Sequence, residues 1–199
     1  LAAAGFPVSI GSRDAAKAHE KAVHLGSQVA GAAISGGENT AVVREADIVF
    51  LSVPFDSAEP LIDACRESWK SGTVVVDSTV PLRFESGRPV LLDLKEGSAS
   101  EHLARALPPG VALVAAFKTI PAHILAEVDV PLDCDLMVCG DHTEAKARVM
   151  EVASAITGLR PLDAGPLRNA RILEAMCVLA ISLNRRYKSK AARFRIVGI

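Results

Sequence analysis

Asp47-Ile48-Val49-Phe50-Leu51-Ser52-Val53-Pro54 and Thr73-Val74-Val75-Val76-Asp77-Ser78-Thr79 are continuous apolar runs that end in polar residues, separated by a stretch of helical composition over 57–70. Continuous rather than alternating apolarity marks strands buried on both faces, as in parallel sheets covered by helices. The first run therefore predicts a central, fully buried strand. Strand, helix and strand with short joints form a parallel unit with a right-handed crossover.

Upstream, Phe6-Pro7-Val8-Ser9-Ile10-Gly11 is short and β-branched, with Pro7 at its start, where a missing donor is tolerated. Ser12-Arg13-Asp14 predicts a cap for a helix over 15–25. Gly36-Gly37-Glu38-Asn39 predicts a turn before a short helix over 40–46. The opening Leu1-Ala2-Ala3-Ala4-Gly5 has the form of a last helical turn closed by glycine. A doubly wound sheet that opens on a helix end predicts a first strand and a Gly-x-Gly-x-x-Gly turn ahead of it.

Downstream, residues 80–97 predict a loop longer than a usual connection, and so one with a function. A helix over 98–107, strands over 111–117 and 135–140, and a helix over 143–157 follow, the last with Glu144 and Arg148 at ion-pair spacing. Residues 158–166 predict an extended stretch and turn. A long helix over 169–187 has an apolar face comprising Ile172, Leu173, Met176, Leu179, Ala180 and Leu183, which offers a surface for a homodimer. The fold class is α/β: a Rossmann, mostly parallel sheet over 1–158, expected to lack its first strand, with a C-terminal helical region over 159–199 closing a cleft.

Composition narrows the function. Half of the 199 residues are hydrophobic and only 4% aromatic, as expected of a Val, Ile, Leu and Ala core. Lys and Arg number 22 against 23 Asp and Glu, which gives no general electrostatic attraction to nucleic acid. The four cysteines form no Cys-x-x-Cys pair and have no histidine cluster at metal-ligand spacing, so packing thiols, no metal and a cytoplasmic setting are expected. The longest apolar stretch, residues 175–183, is about half of the ~20 residues that a spanning helix needs, so no membrane partner is expected.

The chemistry lies at strand ends. After the second strand of such a unit, an acidic residue selects NAD, whereas an arginine accommodates the 2′-phosphate of NADP. Here Gly11-Ser12-Arg13 stands in that place, with no carboxylate before Asp14. A hydroxyl and a guanidinium fork suit a phosphate dianion, with Lys17 one turn on as a third contact. The alternative is that Ser12 caps the helix and Arg13 is solvated. Ser52-Val53-Pro54 and Ser78-Thr79-Val80-Pro81 also end buried strands, where open α/β sheets bind ligands, although their prolines could simply terminate the strands.

Thr119-Ile120-Pro121-Ala122, Val138-Cys139-Gly140-Asp141 and the segment Gly158-Leu159-Arg160-Pro161-Leu162-Asp163-Ala164-Gly165-Pro166-Leu167, followed by Asn169, Arg171 and Glu174, make the resemblance specific. With the positions above, the chain resembles the NADPH-dependent deazaflavin coenzyme (F-420) reductases along essentially its whole length. The resemblance implies reversible hydride transfer between NADP(H) and F-420, both small-molecule redox coenzymes. It implies that Ser12, Arg13 and Lys17 hold the 2′-phosphate, and that Val53, Pro54, Ser57, Val80 and Leu82 border the ribose and nicotinamide. Ile120 and Pro121 would meet the deazaflavin, with Ala122 beside them between the two rings.

No catalytic side chain is expected, because both rings carry the reactive atoms and the protein supplies geometry and water exclusion. Lys118 stands where the family often has His; it is expected to be solvated, the alternative being that it faces the acidic tail of the deazaflavin. Other readings are an NADPH-dependent reductase with a flavin, ferric iron or imine as acceptor, and a non-catalytic NADP-binding module.

Overall fold

The computed structural model describes all residues from 1 to 199. A 3-10 turn over Ala2–Ala4 closes on Gly5, whose φ of 87° is left-handed. Strand β1 (Val8–Ser12), helix α1 (Ala15–Gly26) and strand β2 (Ile34–Glu38) form a parallel crossover in which Ser12 faces Glu38. Helix α2 (Asn39–Glu45) leads to β3 (Ile48–Leu51), α3 (Phe55–Ala64) and β4 (Val74–Asp77). The hairpin β5 (Leu82–Glu85) and β6 (Arg88–Leu91) is antiparallel. After α4 (Ala99–Ala106) comes β7 (Ala112–Ala115), which completes a parallel sheet in the order β3-β4-β7.

A short helix α5 (Ala122–Leu125) precedes β8 (Cys134–Val138), α6 (Thr143–Ser154) and β9 (Leu159–Asp163), with β9 parallel to β8. An isolated bridge between Ala115 and Cys139 joins this pair to β7. The long helix α7 (Ala170–Arg186) follows a 3-10 turn over Leu167–Asn169. The parallel pairs therefore fall into three groups, and β1 shares no pairing with β3. No helix is long and apolar enough to cross a membrane.

β4 explains why this architecture is stable. Its side chains alternate between faces: Val74 and Val76 enter a core cluster with Val114, Leu136, Val138 and Val149. Val75 enters the opposite cluster with Leu51, Ile62, Leu103 and Leu173. Both faces are covered, so every residue of the strand is buried.

Several expectations are corrected. Gly36 and Gly37 belong to β2 rather than to a turn. The glycine serves close packing: a Cβ at Gly36 would collide with the Ala18 carbonyl and approach the His19 nitrogen to 2.6 Å, so its absence lets α1 lie close against the strand. β3 is an edge of its three-stranded sheet and only partly buried, and β4 holds the central place instead. Helix α3 begins at Phe55 and stops at Ala64, before a 3-10 turn over Arg66–Ser68. The predicted loop over 80–97 contains the β5/β6 hairpin.

Glu144 forms no pair with Arg148, whose guanidinium donates instead to the carbonyls of Gly72, at 2.9 Å, and Asp47. On α7 the buried stripe is Ala170, Leu173, Glu174 and Ala180, while Ile172 and Leu179 are exposed. A face defined by hydrophobicity alone could not anticipate a glutamate at its centre.

Candidate functional site

At the end of β1, Asp14 caps α1, its carboxylate accepting from the backbone nitrogens of Ala16 and Lys17. The Ser12 hydroxyl accepts from the Asp14 nitrogen at 3.2 Å, so within the Ser12-Arg13-Asp14 segment it is Asp14 that caps the helix. Lys17 stands 3.9 Å from Asp14, with its side chain largely in solvent. Arg13 is exposed and engages no protein carboxylate. Three polar groups thus gather around one turn: a guanidinium with all donors free, a hydroxyl with its proton free, and an ammonium in a weak exposed pair.

The ends of β3 and β4 lie side by side because Leu51 and Asp77 are in register. The Ser78 hydroxyl donates to the Leu51 carbonyl at 2.9 Å, tying the two strand ends together. The Asp77 carboxylate accepts from the Thr79 nitrogen at 2.8 Å, turning the chain at once. Val53 and Val80 are half-buried there, Pro54 caps α3, and Ser57 is exposed in that helix's first turn. Leu82 opens the hairpin, half-buried. These residues are brought together, whereas Ser12, Arg13 and Lys17 lie at the end of β1 and the start of α1, and β1 has no pairing to β3.

Residues 118–121 are placed by an unusual backbone. Phe117 has φ of 60°, uncommon for a bulky side chain, and packs edge-on against Phe50 with ring centroids 5.8 Å apart. The reversal turns Lys118 into the interior. The expectation of a solvated Lys118 is thereby overturned: its side chain is fully buried, with Nζ 2.7 Å from Asp77 Oδ2 and 3.4 Å from Glu174 Oε1, and donating to the Thr79 carbonyl. Ser100 donates to Asp77 Oδ2 at 2.6 Å, and the Ala99 nitrogen to Glu174 Oε1 at 3.0 Å. Burial pushes the Glu174 carboxyl up, Lys118 opposes this, and Asp77 adds to it.

Ile120 is buried within the core, Pro121 half-buried and Ala122 exposed. A cavity of about 480 Å³ opens beside this turn, walled by Ile120, Pro121, Cys177, Ile181, Arg185 and Lys190 among others. Ile120 and Pro121 are thus both part of the wall of this cavity. The larger signature segment is largely structural. Asp163 accepts Lys146 at 2.7 and 2.8 Å and the Gly165 nitrogen at 2.8 Å, and the Lys146 ammonium, ahead of the Gly165 contact, holds its carboxyl below the usual range. Asn169 donates to the Ala164 carbonyl, so the start of α7 is fixed.

In the sequence Asp77 is marked only as a polar strand end and Glu174 only as part of a motif, and nothing in their spacing from Lys118 shows that they meet. Arg171 is also engaged, donating to the Leu92 carbonyl and to Asp93, both at 2.6 Å. The cysteines offer no nucleophile at neutral pH: burial raises all four thiols, Cys139 to about 11.

Known proteins place this geometry in context. Residues 1–81 match the family described as NADP oxidoreductase coenzyme F420-dependent. The chain is 38% identical to the F420-dependent NADP reductase of Methanothermobacter thermautotrophicus, covering 100% of this chain and 88% of that protein. It is 37% identical to the enzyme of the same name from Methanocaldococcus jannaschii, over 96% of this chain and 88% of the relative. A crystal structure from an Arthrobacter species superposes with a TM-score of 0.80 at 23% identity, covering 99% of this chain and 93% of that one, a likeness of fold.

Proposed function

Because the chain belongs to the family of F420-dependent NADP reductases, we propose that it is an NADP-dependent oxidoreductase that transfers hydride in either direction between NADP(H) and the deazaflavin coenzyme F-420. The observation that carries this is identity at the 38% level along the whole chain to a protein of that name. The two coenzymes supply the hydride donor and acceptor; the protein's part is to bind them, orient them and exclude water.

The residues present fit that task. Arg13, free of any protein carboxylate, with Ser12 and Lys17 beside it, would hold the 2′-phosphate by charge-assisted hydrogen bonds. Val53, Pro54, Ser57, Val80 and Leu82 would border the ribose and nicotinamide at the joined ends of β3 and β4. The Thr79 hydroxyl oxygen there is buried without a partner, a polar atom for which a ligand would provide one. Ile120 and Pro121 would meet the deazaflavin in the adjoining cavity, with Ala122 at its edge.

We assign residues 1–158 to the nucleotide-binding domain and 159–199 to the region closing the cleft. Ile172 and Leu179, both exposed on one face of α7, offer an apolar surface for a homodimer, and four free thiols, three of them buried, accord with a cytoplasmic setting.

The test is optical: mixing the protein with NADPH and F-420 bleaches the oxidised deazaflavin. Reduction of a flavin, ferric iron or an imine without bleaching would move the acceptor elsewhere. NADPH binding with no acceptor reduced would make the chain a binding module.

A further inference from the structure

The Asp77, Lys118 and Glu174 side chains are wholly buried, and hydride transfer between two coenzymes that carry the reacting atoms does not call for them. The Lys118 ammonium donates to Asp77 Oδ2 and to the Thr79 carbonyl, and stands 3.4 Å from Glu174 Oε1, so protein oxygens surround it on three sides. Asp77 is satisfied as a carboxylate, accepting from Thr79, Ser100 and Lys118. Glu174 is not. Its Oε1 accepts from Ala99 and lies at a longer 3.4 Å from Lys118, while its Oε2 has no partner at all.

Two ionised carboxylates around one ammonium would leave a net negative charge in a dry site, with a bare oxygen bearing part of it. Such a charge is costly, and the usual escape is neutralisation. A proton on Oε2 removes the excess charge, and an unpaired neutral hydroxyl costs far less in a dry site than an unpaired charged oxygen.

We propose that Lys118 is a positioning residue for hydride transfer, and that Asp77 as a carboxylate and Glu174 as a neutral carboxylic acid hold it, locking residues 119–121 against the end of β4. This rests on the reading above, that those two segments border the two coenzyme rings. Lys118 joins the segments directly, because it precedes the turn in sequence and donates to the Thr79 carbonyl. The left-handed Phe117 needs such a hold, since backbone of that kind persists only where its surroundings over-determine it.

Besides Lys118 and Asp77, the groups facing Glu174 are the Ala99 nitrogen at the start of α4 and the Cys177 thiol one turn along α7. The folded carboxyl value is raised, chiefly by burial. Its proton is therefore held below the raised value, and the lock weakens as pH climbs through it.

The experiment uses the full chain. Infrared spectra without coenzymes should show a buried carboxylic-acid carbonyl band at neutral pH that is absent from Glu174→Gln; if the variant loses no such band, Glu174 is not neutral. The wild-type rate of F-420 reduction by NADPH should fall on the alkaline side, and that decline should disappear in Glu174→Gln; its persistence would also overturn the proposal. Lys118→Met should lower kcat by about tenfold or more, or ~1.4 kcal/mol in the barrier, with KM for NADPH little changed. An unchanged kcat would refute the positioning role. Should Lys118→Met fail to fold, Lys118→Met with Asp77→Asn removes one charge of each sign and carries the same expectation. The infrared result needs no hydride acceptor, so failure of the proposed activity and failure of the lock can be told apart.

Discussion

Asp135 and Arg160 face each other across the parallel pair β8 and β9 and join through two hydrogen bonds, Nε to Oδ1 and Nη2 to Oδ2, each 2.8 Å long. The Asp135 side chain is 1% exposed, and its Oδ2 also accepts from the backbone nitrogen of Ile196. One carboxylate thus joins two strands and the segment after α7. Asp135→Asn should destabilise the fold by about 1.5–3 kcal/mol, the scale of charge-assisted hydrogen bonds, as measured by urea unfolding. The Arg160 hydrogen bond, ahead of the Ile196 contact, holds this carboxyl below the usual range. Its stabilisation is then complete above the unfolded value of about 3.9 and is lost as pH falls through the depressed folded value. Asp135→Asn should flatten that acid limb; an unchanged limb would assign it to other carboxylates.

Arg13→Ala should weaken NADPH binding by about 1.5–3 kcal/mol and leave NADH nearly untouched. Titration with each nucleotide, followed by fluorescence or calorimetry, checks this. If both affinities drop equally, Arg13 does not read the 2′-phosphate.

Gly36→Ala places a methyl group against the Ala18 and His19 backbone, where no side chain can yield. Overpacking of this kind typically costs about 1–3 kcal/mol. The midpoint of urea unfolding should fall accordingly, and a midpoint equal to wild type would mean that α1 can lift off the strand cheaply.

Cys139, fully buried and with its thiol raised to about 11, should resist thiol reagents at pH 8 in the folded protein and react once it is unfolded. Mass spectrometry of labelled peptides reads the difference. Rapid native labelling at Cys139 would show that the region around β8 opens readily.

The sequence marked the strands whose residues speak for themselves. β4 could be recognised because Val74, Val75 and Val76 are apolar on both faces. β2 was hidden because Gly36 and Gly37 imitate a turn, and their need is set by a helix lying across them. The hairpin within residues 80–97 was hidden because charged Arg83, Glu85 and Arg88 give it no apolar run.

By itself, then, the sequence determined the class of fold and the family. Those follow from local pattern and from residue type. Only the tertiary structure decided that Lys118 is buried, that Asp77 and Glu174 share it, and that β4 rather than β3 is central. Each of these depends on residues distant along the chain meeting in a water-free interior, where charge balance is set by the neighbours present rather than by any spacing in the sequence.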